Sequence, residues 1–287
     1  MKRSIKAIVA ATGAAFMCAA PALSSVTPAP VVNSISASAY YIPNAYSDID
    51  HTFVATISFD HVDDQGRAIY SGCHLNYRFD TTTDGRTVIM VCGCDFADSI
   101  VNVPSRVSLN GTIYWVGGIT DGAFMDKNGT QNNHGAGLTE INLENATFCY
   151  EIKTNAFKNC TKLKTLKLKS GNLYWIGQGA FENCSAITDL DLPSTVREVG
   201  KNAFLNTGIK NLKFNYNSRY NLKLNEFAFG NCTSLKKIVN DNTIDYTVSG
   251  KKTFQGVNKN NISFSTTRTG SGAYGTYVAT FILKLFN

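Results

Sequence analysis

The sequence lacks an apolar run long enough to cross a lipid bilayer. Its longest uncharged stretch near the amino terminus, Ala7 to Ala20, spans about 14 residues, whereas a membrane-spanning helix takes roughly 20. Three basic residues precede this stretch and small residues come after it, which is typical of a secretory signal peptide. We expect cleavage after Ala39, and Ala22 also satisfies the small-residue rule. The chain is therefore expected to be secreted, with no membrane span after the leader.

Charged residues are also scarce, at 17% of the chain, and neither sign dominates the part of the chain after the leader. The full chain carries 27 Lys and Arg against 21 Asp and Glu, a formal net charge of +6. The leader contains three of the basic residues and no acidic ones, so its removal leaves about +3. Nucleic-acid binding needs a uniformly basic track that neutralises phosphates. The composition therefore argues against a nucleic-acid partner.

Few patterns in the sequence are those of metal or catalytic sites. Residues 63–65 lack the spaced carboxylates and closing Glu of a calcium loop, and Cys92-x-Cys94 has no second pair of cysteines to complete a zinc site. Cys73 and His74 are adjacent, and neighbouring residues of a strand point to opposite faces, so they make poor partners as nucleophile and base. We expect no cofactor, no metal and no catalysis. The alternative is a cysteine-based enzyme or metal site at Cys73, Cys92 and Cys94.

What the sequence does contain is an internal repeat. An Ala-Phe pair occurs five times, with a weaker copy at Thr253-Phe254, and successive phenylalanines are 23 to 33 residues apart. This period is that of leucine-rich repeats and is too short for arrays of helical pairs. The five anchor residues, which we predict to form the repeat core, are Phe124, Phe157, Phe181, Phe204 and Phe229.

The residues around each anchor repeat as well. An aliphatic residue such as Ile152 lies five positions before the anchor, and Leu-x-x-Leu-x-Leu comes after it, as at Leu163, Leu166 and Leu168. The alternation at the end of that pattern predicts one short strand in each coil, with its leucines inward. A single coil buries too little apolar surface to fold alone, so neighbouring coils must share one core and both ends need covers.

These motifs resemble those of the BspA-type leucine-rich repeat family. Ala-Phe-x-Asn-Cys ends at Cys160, Cys184 and Cys232, and Asp-Leu-Pro stands at residues 191–193. The similarity covers residues 97–256. It implies a curved solenoid with a parallel sheet on one face, displayed outside the cell, which binds proteins or host-matrix surfaces.

The chain is expected to divide into four parts. They are a signal peptide at 1–39, an amino-terminal β cap at 40–96, the repeats at 97–256 and a short carboxy-terminal cap at 257–287. Alternating apolar residues on both sides of the Asp84-Gly85 turn predict an antiparallel hairpin within the first cap. The repeats depart from the family pattern at Thr207, which replaces a cysteine, and at an insertion over residues 128–136.

The cysteines of the repeats are interpreted as buried thiols that behave as small hydrophobes. They are Cys149, Cys160, Cys184 and Cys232. Cys160 and Cys184 occupy equivalent positions on adjacent coils, about 4.8 Å apart if the coils are spaced like strands, so a disulfide between them is conceivable. Cys184 and Cys232 lie two coils apart, beyond the bridging limit of about 7 Å.

Outward positions of the predicted strands alternate in charge from coil to coil, which predicts lateral pairing in a ladder of Lys167, Asp191 and Lys213. This strand face also lacks aromatic side chains for stacking on sugars. The insertion at 128–136 and the edge near Tyr174 and Trp175 are better candidates for a partner surface. The full candidate set is Lys162, Lys164, Lys167, Lys169, Tyr174, Trp175, Asp189, Asp191 and Lys213.

The function that fits these expectations is binding or adhesion by a secreted or cell-surface module, with a protein, cell-envelope or extracellular-matrix ligand. Two alternatives stay open: the cysteine-based site of the amino-terminal region, and a structural unit of a larger extracellular assembly. The identity of the ligand, any anchoring to the cell and the oligomeric state do not follow from the sequence.

A disulfide from Cys73 to Cys92 or Cys94 is predicted in the amino-terminal cap, because a thin cap with little core gains most from a covalent staple. Alkylation with and without reductant, followed by peptide mapping, should label these cysteines fully only after reduction. Complete labelling of all three without reductant would contradict the prediction.

Overall fold

The computed structural model describes a defined part of the chain. The ranges are residues 55–56, 61–62, 68–69, 75–81, 87–94, 99–109, 112–126, 134–168, 172–215, 221–241, 244–245, 252–265 and 286. The predicted leader, Cys73, Lys169 and most of the insertion at 128–136 lie outside these ranges, so the expectations that concern them stay predictions.

The regular secondary structure of the described part consists almost entirely of short strands. The amino-terminal ones are β1 (Ala55–Thr56), β2 (His61–Val62), β3 (Ala68–Ile69), β4 (Leu75–Thr81) and β5 (Thr87–Cys94). Next come β6 (Ile100–Asn102), β7 (Arg106–Leu109), β8 (Thr112–Ile119), β9 (Glu140–Asn142), β10 (Glu151–Ile152), β11 (Thr165–Lys167) and β12 (Trp175–Ile176). The last are β13 (Asp189–Leu192), β14 (Glu198–Val199), β15 (Asn211–Phe214), β16 (Leu222–Leu224), β17 (Lys237–Asn240), β18 (Ile244–Asp245) and β19 (Ser263–Ser265). Short 3-10 turns cover His134–Gly137 and Lys259–Asn261.

Each coil of the repeat carries two strands, where the sequence pattern predicted one. The predicted strand, from the Leu-x-Leu segment, builds what we call the leucine face, with parallel sheets β6–β9–β11 and β13–β15–β17–β19. The second strand lies at the aliphatic column that precedes the anchor. These strands pair in parallel in the order β8–β10–β12–β14–β16–β18 and form what we call the second face. The predicted solenoid is confirmed, and its coils are paired along two faces.

The anchor phenylalanines form one continuous spine through the solenoid. All five are at most 1% exposed, and their rings stack with centroids 5.1 to 5.4 Å apart and planes within 8° of parallel. Phe254 continues the stack at 5.1 Å, and Phe286 stacks on Phe254 at 5.1 Å. The backbone is linked at the same level, since Phe157 N donates to Ala180 O at 2.8 Å. The five anchors therefore lie in the core of the described coils, and Phe254 and Phe286 extend the stack.

A column of asparagines runs beside the spine, two residues after the anchors. Asn183 Nδ2 donates to Asn159 Oδ1 at 2.8 Å, Asn206 to Asn183 at 2.8 Å, and Asn231 to Asn206 at 3.1 Å. All four have positive φ, between 53° and 65°. Asparagine tolerates this left-handed conformation better than most residues, and its amide both donates and accepts. The Asn of the repeat motif therefore turns the chain and also ties each coil to the next.

The amino-terminal cap contains the predicted hairpin. β4 and β5 pair antiparallel, with Leu75 opposite Cys94 and Thr81 opposite Thr87. β5 then lies parallel to β8, so the hairpin continues the second face past the first coil. Its inward side chains, among them Leu75 and Tyr77, are 2% exposed and join the core of the repeats.

A second left-handed column lies two residues before the anchors, and Phe227 departs from its residue pattern. The other members are Gly122, Asn155, Gly179 and Asn202, with φ between 55° and 60°. Phe227 adopts φ 56°, where a bulky side chain is strained because its Cβ crowds the backbone. The stack of coils imposes the same turn at this position although the residue disfavours it.

We expect Phe227→Asn to be more stable than Phe227→Ala by about 1 kcal/mol, because both variants lose the ring but only Asn tolerates the left-handed turn. Urea unfolding monitored by circular dichroism measures the difference. Asn202→Ala is the matched control and should lose a similar amount relative to wild type. Equal stability of the two Phe227 variants would show that this turn is not strained.

Candidate interaction surface

Lys167 of the leucine face forms an ion pair that differs from the predicted ladder. Lys167 Nζ lies 2.6 Å from Glu140 Oε1 on the preceding coil. β11 and β13 belong to separate sheets, which places Lys167 and Asp191 in different sheets and breaks the predicted Lys167–Asp191–Lys213 ladder. Lys213 does lie opposite Asp191 in the strand register, and the side chain of Asn215 donates to Asp191.

Asp189 shows how closely this face satisfies its own charges. Its carboxylate accepts hydrogen bonds from Asn211 Nδ2 at 2.7 Å and Thr188 Oγ1 at 2.7 Å. These bonds hold the pKa of Asp189 below its ordinary value because they stabilise the ionised form. The charge of Asp189 is therefore satisfied by neighbouring side chains of the same face.

The predicted partner residues separate onto two parts of the surface. Lys162 and Lys164 are exposed on the turn that enters β11, on the side of the leucine face. Trp175 begins β12 on the second face, and Tyr174 directly precedes it. The structure therefore does not bring the lysines and the aromatic residues into one cluster.

Five aromatic side chains lie together on the second face, and we call them the aromatic strip. They are Trp115, Phe148, Tyr150, Tyr174 and Trp175. Trp115 packs on Phe148 with ring centroids 4.1 Å apart. Tyr150 lies 6.0 Å from Tyr174, which meets Trp175 edge to face at 5.8 Å. Trp115 and Trp175 are 41% and 44% exposed, so the strip offers flat apolar rings to the outside.

The strip crosses neighbouring coils because equivalent positions are aligned by the strand register. Gly118, Glu151, Trp175 and Glu198 form one lateral row. Tyr150 and Tyr174 occupy the position just before this row in successive coils, and Arg197 continues that line with its guanidinium 4.3 Å from the Tyr174 ring centroid. Such a stacked guanidinium stabilises the ring in place.

Ionised groups that flank Trp175 are paired. Lys153 Nζ lies 3.0 Å from Asp80 and 3.5 Å from Glu151, and Lys223 Nζ lies 2.9 Å from Glu198. Burial lowers the pKa of Lys153, but the carboxylates of Asp80 and Glu151 outweigh it and raise the pKa above the ordinary value. Trp175 is thus an aromatic surface among paired charges, whereas the exposed Arg106 lies opposite Trp115 in the strand register.

The repeat cysteines are buried, as predicted, and those of the Asn-Cys motif donate to the anchors. Cys160 Sγ lies 3.1 Å from Phe124 O, and Cys184 Sγ lies 3.0 Å from Phe157 O. Cys232 Sγ lies 3.2 Å from Phe204 O. Cys160 and Cys184 are free thiols, so the conceivable disulfide between them is not formed.

Burial favours the protonated form of Cys149, Cys184 and Cys232. It raises the pKa of Cys232 to about 11 and that of Cys149 to about 12, because the buried thiolate would lose its hydration. The pKa of Cys184 is also raised, first by burial and then by its contact with Cys160. A protonated thiol is a poor nucleophile and a poor metal ligand. Among the residues that the structure describes, no cluster of His, Cys, Asp or Glu could hold a metal ion.

The disulfide of the amino-terminal cysteines stays a prediction. Cys94 is 1% exposed in the core, and Cys92 lies two residues earlier on β5. Their predicted partner Cys73 lies outside the described ranges.

In the ranges that are described, no helix is long and apolar enough to span a membrane.

Comparison with known proteins identifies the family. Residues 131–223 and 219–277, together just over half of the chain, match the family description "BspA type Leucine rich repeat region" in six copies. The chain belongs to the BspA-type leucine-rich repeat family, whose repeats support assignment as a protein-interaction repeat protein. No curated protein matches the chain.

Several solved structures are similar. A leucine-rich repeat protein from Bacteroides ovatus is 20% identical, with 67% of this chain and 54% of that chain covered and a TM-score of 0.47. The T. pallidum leucine-rich repeat protein is 17% identical, with coverages of 73% and 92% and a TM-score of 0.41. A leucine rich cell surface protein from Faecalibacterium prausnitzii is 18% identical, with coverages of 58% and 53% and a TM-score of 0.29.

Sequence reasoning found two members of the aromatic strip and missed three. Tyr174 and Trp175 were in the predicted set, whereas Trp115, Phe148 and Tyr150 were not. The available signal was the repeat alignment itself, since Tyr150 and Tyr174 both come directly after the hydrophobe that lies eight positions before the anchor, Cys149 and Leu173. Trp115 and Phe148 likewise both lie nine positions before their anchors, and the pairing of β8 with β10 places them side by side.

We expect the free energy of unfolding to fall as the pH rises above 9. A thiol with its ordinary pKa of 9.0 ionises first in the unfolded chain, whereas Cys232 stays protonated in the native state up to about pH 11. The stabilisation is complete below pH 9 and is lost towards pH 11, at about 1.4 kcal/mol per pH unit for each such thiol. Urea unfolding at several pH values measures this slope.

Cys232→Thr should reduce that slope, because Thr207 fills the equivalent position of the preceding coil without an ionisable group. Ile100→Ala, on the exposed surface, should keep the wild-type slope and serves as the control. An unchanged slope in Cys232→Thr would contradict the assignment of the pH dependence to the buried thiol.

Proposed function

We propose that this chain is a secreted or cell-surface adhesion module that binds an extracellular protein or cell-envelope ligand and has no catalytic activity. The observation that carries the proposal is the aromatic strip, in which Trp115 and Trp175 are more than 40% exposed on a regularly paired sheet. Exposed aromatic patches on soluble proteins mark interaction sites, and Trp, Tyr and Arg are the residues most enriched among binding hot spots. The signal-peptide pattern of residues 1–39 supports the extracellular location.

The scaffold supports binding because it holds the strip in place. Each coil is tied to the next by the stacked anchors and by backbone bonds such as Tyr174 N to Tyr150 O at 2.8 Å. The rings of Tyr150, Tyr174 and Trp175 contact one another, so little conformational entropy is lost when a ligand covers them. A surface that is already ordered before a ligand arrives supports ligand binding as the function rather than catalysis.

The experiment compares capture by the wild-type chain, Trp115→Ala/Trp175→Ala and Ile100→Ala. Secreted proteins, surface proteins and cell envelopes are presented at two salt concentrations. Ile100 is the matched control because it is 43% exposed but lies on β6 of the leucine face. We expect at least one ligand to be captured by wild type and Ile100→Ala and to be lost by the double variant.

Retention of every captured ligand by the double variant would contradict a role for the strip, and capture of nothing under any condition would contradict the adhesion function. Light scattering on the same samples tests the structural-unit alternative, which requires self-association of the wild-type chain. Circular dichroism must show that all three proteins are equally folded, as expected for exposed substitutions.

A further inference from the structure

We propose that the ligand of the aromatic strip is a neutral polysaccharide chain, whose sugar rings stack on Trp115 and Trp175 while their hydroxyls donate to neighbouring carboxylates. This inference rests on the proposed adhesion function and specifies its ligand. Three observations carry it: the small area of exposed apolar surface, the pairing of the charges that flank Trp175, and the acceptors placed on both sides of Trp175.

The exposed apolar area suits a narrow chain better than a protein. A tryptophan side chain has roughly 150 to 250 Å² of surface, so Trp115 and Trp175 at 41% and 44% exposure offer about 100 Å² each. The other three rings of the strip are partly buried. A stable protein interface buries about 800 Å² on each partner, of which roughly 450 Å² is apolar. The two tryptophan rings offer about 200 Å², well short of that apolar area, whereas a polymer one sugar wide can be contacted ring by ring.

The electrostatics around Trp175 favour an uncharged ligand. Glu151 pairs with Lys153, Glu198 pairs with Lys223, and Arg197 lies over Tyr174. The exposed Arg106, opposite Trp115 in the strand register, adds positive charge at the other end of the strip. At Trp175 a strongly anionic or cationic polymer therefore meets paired charges, with no strong field to attract it.

Two carboxylates supply hydrogen-bond acceptors next to the most exposed ring. Glu151 and Glu198 are the register neighbours of Trp175 on the strands at its two sides. Within the part of the chain that the structure describes, their ion pairs use Oε1 of each carboxylate. The Oε2 atoms then remain as acceptors, and an ionised carboxylate accepts a hydroxyl proton in a stronger bond than a neutral acceptor does.

This combination complements a pyranose. A sugar ring has a face of C–H groups and a rim of hydroxyls, so it needs a flat apolar surface with polar acceptors beside it. Trp175 between Glu151 and Glu198 provides both. Tyr174 contacts both Trp175 and Tyr150, and Phe148 and Trp115 form a second contacting pair of the strip, which gives a linear ligand more than one ring to contact.

Affinity electrophoresis of the purified full chain tests the inference. Native gels contain a soluble β-linked glucan, a mannan, a galactan or an oligomer of N-acetylglucosamine, and a control gel contains no saccharide. We expect at least one of these probes to retard the wild-type chain. Trp175→Ala should weaken the binding about tenfold, which corresponds to the loss of one aromatic stacking contact.

Three further variants separate the sources of binding. Trp175→Phe should restore most of the affinity lost in Trp175→Ala, because it keeps a flat ring. Glu151→Gln/Glu198→Gln should bind more weakly than wild type but remain measurable, since an amide oxygen still accepts. Ile100→Ala should bind like wild type. Raising NaCl from about 0.05 to about 0.5 M should change binding less than about twofold, because no net charge is neutralised.

The inference is overturned if no probe retards the wild-type chain, if Trp175→Ala is retarded as strongly as wild type, or if salt abolishes the binding. If the strip variants still lose capture of a protein ligand in the earlier experiment, the adhesion function survives and the glycan assignment fails. If no ligand of any kind depends on the strip, both fail.

Discussion

The stacking of one phenylalanine per coil at about 5 Å is the interaction on which the rest of this structure depends. Rings 5.1 to 5.4 Å apart are in van der Waals contact, and the same distance is close to the hydrogen-bonding separation of parallel strands. The apolar core and the backbone ladders can therefore be satisfied together. A coil whose anchor left the spine would lose its ring contacts and its strand pairing at once.

The turns of the repeat depend on this spacing. For anchors to lie directly above one another, the chain must reverse at the same two points in every coil, and it does so with left-handed residues on both sides of the anchor. Asn and Gly adopt the left-handed backbone conformation readily. Phe227 adopts it under strain, because its coil is held between neighbouring coils that leave no alternative path. Tertiary packing thus overrides local preference at that position.

The outer surface is less constrained than the core, and it is there that coils differ. The leucine face uses its outward positions for lateral ion pairs and amide bonds, such as Lys167 with Glu140 and Asp189 with Asn211. On the second face, some of the outward positions carry large aromatic rings. Burying such rings would contribute more to stability than exposing them. Because these rings are exposed instead, they mark the second face as the candidate binding surface.

Much of the architecture can be deduced from the sequence alone. The spacing of the Ala-Phe pairs determines that the chain is a solenoid, and the Leu-x-Leu pattern determines which side chains point inward, because periodicity in sequence becomes alignment in space when coils are equal in length. The buried thiols were predicted from the same alignment. The second strand of each coil was not predicted, since two residues such as Trp175-Ile176 are too short to show an alternation.

Only the tertiary structure decided which surface residues act together. Lys164 and Trp175 are near in sequence, yet they belong to different faces because the chain turns between them. Trp115 and Phe148 occupy equivalent positions in successive coils, but that their rings are in contact follows from the pairing of β8 with β10. Local patterns determine which way a side chain points. Its lateral neighbours depend on the register between coils, and that register is set by the core as a whole.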